Sequence, residues 1–181
     1  MVMMEYLTTW GVIKAAGLSS YLLLFVSVCL GTFAHSKWIV PRKRALILTT
    51  HQWTGWFGLM FGILHGTVLT IDSYKPFHVA EILVPFLTND MRVATGLGIL
   101  TLYMLLAVQI SSDLLKRIGK KVWRTVHYLP FPAYLLSLLH GILAGSDSSS
   151  IAARMMYAIT GGIFIIVIVL RMRLRPKTLQ T

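Results

Sequence analysis

The stretch HQWTGWFGLMFGILH, residues 51–65, decides how the chain folds: it is bounded by two histidines, holds Gly55, Gly58 and Gly62, and carries no charged side chain. Reading outward in both directions, Lys, Arg, Asp and Glu stay absent from Ala45 to Ile71. A helix needs about 20 mostly apolar residues to cross the hydrocarbon core, because lipid offers no partner for free backbone N–H and C=O groups. The segment is therefore expected to span a membrane. Three more stretches lack charge over a similar length, Ala15–Ala34, Val93–Ser112 and Thr125–Ser146. A fifth, Met155–Leu170, lengthens if Arg154 and Arg171 snorkel to the two interfaces.

Composition agrees. The 181 residues are 56% hydrophobic, with a mean hydropathy of +0.72. The expected fold is an all-α, polytopic transmembrane bundle of about five spanning helices, a single domain over residues 1–181. A net charge of +11 would raise the question of nucleic acid in a soluble chain, but here the bases punctuate the apolar runs. No nucleic-acid partner is expected. Lys37, Arg42, Lys43 and Arg44, then Lys116, Arg117, Lys120, Lys121 and Arg124, then Arg171, Arg173, Arg175 and Lys177 alternate onto one side, which collects 13 of the 17 bases. The opposite side holds Glu5, Asp72, Glu81, Asp90 and Asp147. By the positive-inside rule the N-terminus is outside and the C-terminus cytoplasmic.

Cys29 is the sole cysteine, so the chain alone builds neither a disulfide framework nor a thiolate metal site. Glu5 stands where a leader peptide would carry bases, and the first apolar run is expected to be a retained helix. The longest outer connection, Asp72–Arg92, is apolar at Phe77, Val79, Ile82, Leu83, Val84 and Phe86, which points to an interfacial or re-entrant segment. Pro76 and Pro85 argue against a sixth continuous span there.

Of six histidines, His51, His65, His127 and His140 lie inside spans two and four. One intramembrane histidine is readily explained as an interhelical hydrogen bond; two similarly spaced pairs are not. His51 and His65 are 14 residues apart and His127 and His140 are 13 apart, about 21 Å and 19.5 Å of helix rise. Spans two and four run in the same direction, so His51 lies level with His127 and His65 with His140. Neutral imidazole is a good axial ligand for haem iron, and two facing imidazoles fill both axial positions. The expectation is two b-type haems stacked across the bilayer, with His51, His65, His127 and His140 as cofactor-binding and iron-ligating residues and no acid–base catalytic group.

One step is out of phase. Fourteen residues return to within about 40° of the starting helix face, whereas 13 end about 140° away. Pro130 and Pro132 lie between His127 and His140, and a proline-induced distortion is expected to rephase that helix. Gly55, Gly58 and Gly62 leave room either for a flat macrocycle or for close helix packing. Trp53, Trp56, Phe57, Phe61, Phe131 and Tyr134 lie at intermediate depth, as packing or beside the porphyrins. Arg44 and Arg124 are the inner partners for haem propionates, Lys75 and Ser146 the outer ones.

His51-Gln52-Trp53-x-Gly55 followed by His65, and Trp123-Arg124-x-x-His127 followed by His140, resemble the two histidine-bearing helices of the ferric reductase-like transmembrane family. That family includes NADPH oxidases, ferric reductases and a small bacterial haem-binding subunit serving a periplasmic methionine sulfoxide reductase. The resemblance runs from about Thr50 to His140. It implies an inner haem on His51 and His127, an outer haem on His65 and His140, and a bacterial cell membrane as the location. Larger relatives carry a flavin and nicotinamide domain after the last span, but only 11 residues follow Leu170. A further N-terminal family helix is also expected to be missing or reduced to the residues before Lys14.

The electron donor is thus expected to be a separate reductase or flavoprotein, a quinol, or a bound flavin, and the acceptor an outer-face species such as ferric iron, oxygen or an exported oxidoreductase. The chain would be the electron-carrying subunit of an oxidoreductase. The alternatives are a histidine-lined metal transporter, disfavoured by the absence of Asp and Glu from the spans, and a non-redox membrane anchor.

Overall fold

The computed structural model describes residues 8–34, 39–72 and 76–173. These form helices α1 (Thr9–Phe33), α2 (Pro41–Leu69), α3 (Val79–Leu83), α4 (Arg92–Asp113), α5 (Leu115–Val126), α6 (Pro130–Ala144) and α7 (Ile151–Arg173). Local chemistry sets several ends. The Thr8 hydroxyl accepts from the Gly11 amide to cap α1, and Pro41 and Pro130 stand in the first turn of α2 and α6, where a missing N–H is harmless. Lys37, Lys75, Arg175, Lys177 and His35 lie outside the described residues.

The bundle is all-helical and belongs in a membrane. α1, α4 and α7 are long and apolar enough to cross by themselves. Span four, expected as one helix over Thr125–Ser146, is instead a broken pair, α5 and α6, bent by 52°. The break falls at His127–Leu129, where Pro130 cannot donate to the preceding turn. α2 is not among the helices that qualify, because Thr49, Thr50, His51 and Gln52 dilute its first half and Trp53, Thr54, Trp56, His65 and four glycines its second. Three helices, or four with the bent pair, therefore qualify by composition, against the five expected. The 29 residues of α2 are nonetheless about 44 Å long, more than the roughly 30 Å hydrocarbon core.

α1 runs antiparallel along α2, α4 packs along α6, and α6 and α7 close on α1. The centre is Tyr21, Leu24 and Val28 of α1 with Tyr134 of α6 and Phe164 of α7. Three hydroxyls lock it. Thr160 Oγ1 donates to the Met156 carbonyl at 2.8 Å, so its single proton is committed. Tyr21 therefore donates to Thr160 at 2.5 Å and Tyr134 to Tyr21 at 2.9 Å. Large apolar side chains such as Ile63, Ile110, Leu143, Ile165 and Ile166 face outward, which is stable where the surroundings are lipid.

The connection between α2 and α4 folds back along α4. Phe86 lies against Gly96, the Phe86 carbonyl accepts from Arg92 Nε at 2.7 Å, and the Leu83 carbonyl accepts from the Tyr103 hydroxyl. Tyr103 is 11 residues into the helix from Arg92, about three turns, so the segment around α3 packs along the first three turns of α4. At the same end Lys14 pairs with Asp147 at 3.0 Å and holds that carboxyl below its ordinary range, although both groups are solvent-exposed.

Candidate functional site

α2 delivers His51 and His65 to one side, and the bent pair supplies the opposing groups. His127 is the residue at which α5 ends, and His140 lies on α6 beyond the break. The four imidazoles meet in two pairs. The His51 and His127 ring centroids are 6.0 Å apart with planes at 79°, and those of His65 and His140 are 6.1 Å apart at 81°. The level-by-level pairing expected from parallel spans is the pairing present, and the break at His127–Leu129 rephases a 13-residue spacing that a regular helix would have scattered.

These separations suit one metal between each pair. A metal–imidazole nitrogen bond is about 2.0–2.1 Å and the ring centre lies about 1 Å further on, so two imidazoles on opposite sides of one ion have centroids about 6 Å apart. Edge-to-face contact between two rings spans roughly 4.5–7 Å, so the separation leaves room for one ion without requiring it. Among the described residues no group of three or more His, Cys, Asp or Glu side chains converges, so each pair could give an ion two imidazole nitrogens and no third protein ligand.

Hydrogen bonds fix three of the four tautomers. His65 Nδ1 lies 2.9 Å from the Ile13 carbonyl, His140 Nδ1 2.7 Å from the Ala94 carbonyl, and His51 Nδ1 2.9 Å from both the Ser27 carbonyl and hydroxyl. A carbonyl only accepts, so Nδ1 carries the proton in each ring and Nε2 keeps the lone pair that a metal needs. The Ser27 hydroxyl in turn donates to the His51 carbonyl at 3.1 Å. No residue-type signal announces backbone acceptors on α1 and α4, which is why sequence reasoning missed them.

His127 is held differently. Its ring stacks on Trp123, centroids 4.6 Å apart at 28°, and the Trp123 indole donates to the Ser112 hydroxyl at 3.3 Å. His127 Nδ1 and Arg44 Nε are buried without a hydrogen-bond partner among the described residues. Arg44 precedes His51 by seven residues on α2, and Arg124 is exposed. Ser146 bonds its neighbour Asp147, and Lys75 falls outside the described residues.

The glycines resolve toward packing, and the aromatic residues divide. Gly55, Gly58 and Gly62 face α1, meeting Ser27, Leu23 with Leu24, and Ser20 at 3.1–3.5 Å from an added Cβ, so the room they leave is filled by helix contact rather than by a macrocycle. Trp53, Trp56 and Phe57 are exposed, while Phe131 and Tyr134 pack in and around the core cluster.

Comparison with curated proteins and with solved structures finds no match. Residues 16–138 match the family described as the ferric reductase like transmembrane component. That range takes in His51, His65 and His127 and stops two residues short of His140. The match covers well over half of the chain and coincides with α1 to α6, the helices that bring the histidine pairs together, and on that basis the protein belongs to the ferric reductase-like transmembrane family.

Proposed function

We propose that the chain is a di-haem transmembrane cytochrome b that passes electrons from a cytoplasmic or membrane donor to an acceptor on the outer face. Family membership points to electron transfer across the membrane. The observation that carries the finer reading is the pair of imidazole–imidazole spacings, 6.0 and 6.1 Å, set 14 residues apart on one helix, about 21 Å of rise. His51 with His127 would hold an inner haem and His65 with His140 an outer one. Bound there, haem supplies one-electron redox chemistry, and two imidazoles on one iron favour electron passage over direct oxygen binding.

The chain's own residues account for the rest. The Nδ1–H bonds to Ile13, Ser27 and Ala94 raise ligand basicity and fix the ring planes. The unpartnered Arg44 Nε fits a propionate at the inner level. By the positive-inside rule, the basic residues of α5, Lys116, Arg117, Lys120, Lys121 and Arg124, support a cytoplasmic position for the His127 end. The donor is a separate flavoprotein or reductase, or a quinol; the acceptor is ferric iron, oxygen or an exported oxidoreductase. A metal transporter would need a third protein ligand per site, which the described residues do not supply.

The test uses sealed vesicles carrying purified protein, with dithionite trapped inside and an impermeant ferric chelate outside. Ferric reduction that depends on haem loading is the expected result. Zinc or iron retained without porphyrin, and no transfer of electrons, would overturn the proposal.

A further inference from the structure

Three glycines outside the histidine helices' own motifs share one relationship to the imidazoles. A Cβ added to Gly17 would lie 2.9 Å from His65 Nδ1, one added to Gly31 2.9 Å from His51 Cε1, and one added to Gly98 2.9 Å from both His140 Nδ1 and Cε1. Real Cβ atoms essentially never approach other atoms so closely, and ordinary contact begins near 3.4 Å. Each glycine also stands four residues after the carbonyl that the same imidazole grips: Ile13 and Gly17, Ser27 and Gly31, Ala94 and Gly98.

The four-residue offset has a physical reason. In an α-helix the carbonyl of residue i accepts the amide of residue i+4, so each of these carbonyls, with two lone pairs, serves a helical amide and an imidazole together. To reach that shared acceptor the ring must lie over the backbone of residue i+4, and only a residue without Cβ leaves that space. Spacing repeats the point. Gly17 and Gly31 are 14 residues apart, as are His65 and His51. Gly31 with His51, Ser27 with Gly55, Leu24 with Gly58, Ser20 with Gly62 and Gly17 with His65 all fall on one antiparallel register of α1 and α2.

We infer that Gly17, Gly31 and Gly98 are positioning residues that seat His65, His51 and His140, and that His127, which has no such seat, is positioned by its stack on Trp123. The inference rests on the haem reading given above. It makes the outer level rigid on both sides, through Gly17 and Gly98, and the inner level rigid on one side, through Gly31. An alanine at a seat pushes the ring by several tenths of an ångström, more than the roughly 0.2 Å latitude of a metal–ligand bond. Alanine is otherwise the better helix former, so loss of a haem in such a variant does not report loss of the helix.

The experiment compares Gly17→Ala, Gly31→Ala, Gly98→Ala and Trp123→Leu with Gly66→Ala and Gly162→Ala, two positions where an added Cβ meets nothing within 4 Å. Readouts are haem per chain and the low-temperature electron paramagnetic resonance of each ferric centre, neither of which requires turnover. Gly17→Ala and Gly98→Ala are expected to halve haem content and erase the same signal, Gly31→Ala to erase the other, and Trp123→Leu to shift the signal that Gly31→Ala erases. Trp123→Phe should restore it. If the three seat variants match the two controls, or each loses both haems alike, the inference is wrong. A wild-type protein without haem would refute the di-haem reading itself, a result separable from either.

Discussion

Replacing His140 by alanine removes one of two imidazoles whose centroids are 6.1 Å apart and leaves the pair at 6.0 Å intact. His65 stays anchored to the Ile13 carbonyl, so the outer level keeps one seated ligand and loses its opposite number. Haem content should fall from about two to about one per chain, with the inner haem still reducible by a cytoplasmic-side donor. Transfer to an outer acceptor should collapse, because the remaining gap approaches the 14-residue rise of α2, about 21 Å, and tunnelling rates fall exponentially with distance. His127→Ala should do the converse and leave an outer haem that dithionite reduces but the inner donor does not. Haem content, donor-driven reduction and outer acceptor reduction, measured side by side, decide the matter. Loss of the same haem in both variants would refute the level-by-level pairing, and full transfer by His140→Ala would remove the outer site altogether.

The near-perpendicular imidazole planes, 79° and 81°, predict strongly anisotropic low-spin ferric signals from both haems; ordinary rhombic signals would mean that the rings turn parallel. Tyr21→Phe breaks both links of the Tyr134–Tyr21–Thr160 chain and should destabilise the bundle by about 1 kcal/mol. Tyr134→Phe breaks one link and should cost less, so the reverse order in thermal unfolding would show that Tyr21 is not the middle member of the chain. Reporters fused after Thr181 should be active only as cytoplasmic reporters, and a tag between Phe77 and Asn89 should be reachable from outside. The opposite labelling would reverse the proposed direction of electron flow.

What was legible in the sequence was the part written in side-chain chemistry. Uncharged runs and a 14-residue histidine spacing implied helices crossing lipid and ligands stacked at two depths, and the paired rings follow. The phase mismatch between His127 and His140 was legible as a problem, and Pro130 and Pro132 as the source of a rephasing distortion, but the size of the break was not, because it depends on how α5 and α6 pack. The 52° bend makes span four two helices. Gly55, Gly58 and Gly62 caught attention by lying between the histidines, yet they serve the contact with α1. The glycines at the imidazoles are on α1 and α4, which carry no ligand. Their only mark in the sequence was the 14-residue spacing of Gly17 and Gly31, an echo of His51 and His65. α2 does not pass on hydropathy, and the polar residues that lower its mean include His51 and His65 themselves.

In the proposed function each histidine pair holds one haem. The most direct measurement is haem per chain in detergent-purified protein, from the reduced-minus-oxidised spectrum and the pyridine haemochrome, alongside total bound metal. Two b-type haems per chain, with iron equal to haem and no other metal, is the result expected from two imidazole pairs spaced for a single ion. A protein that carries zinc or iron without porphyrin, or no metal at all, would contradict it.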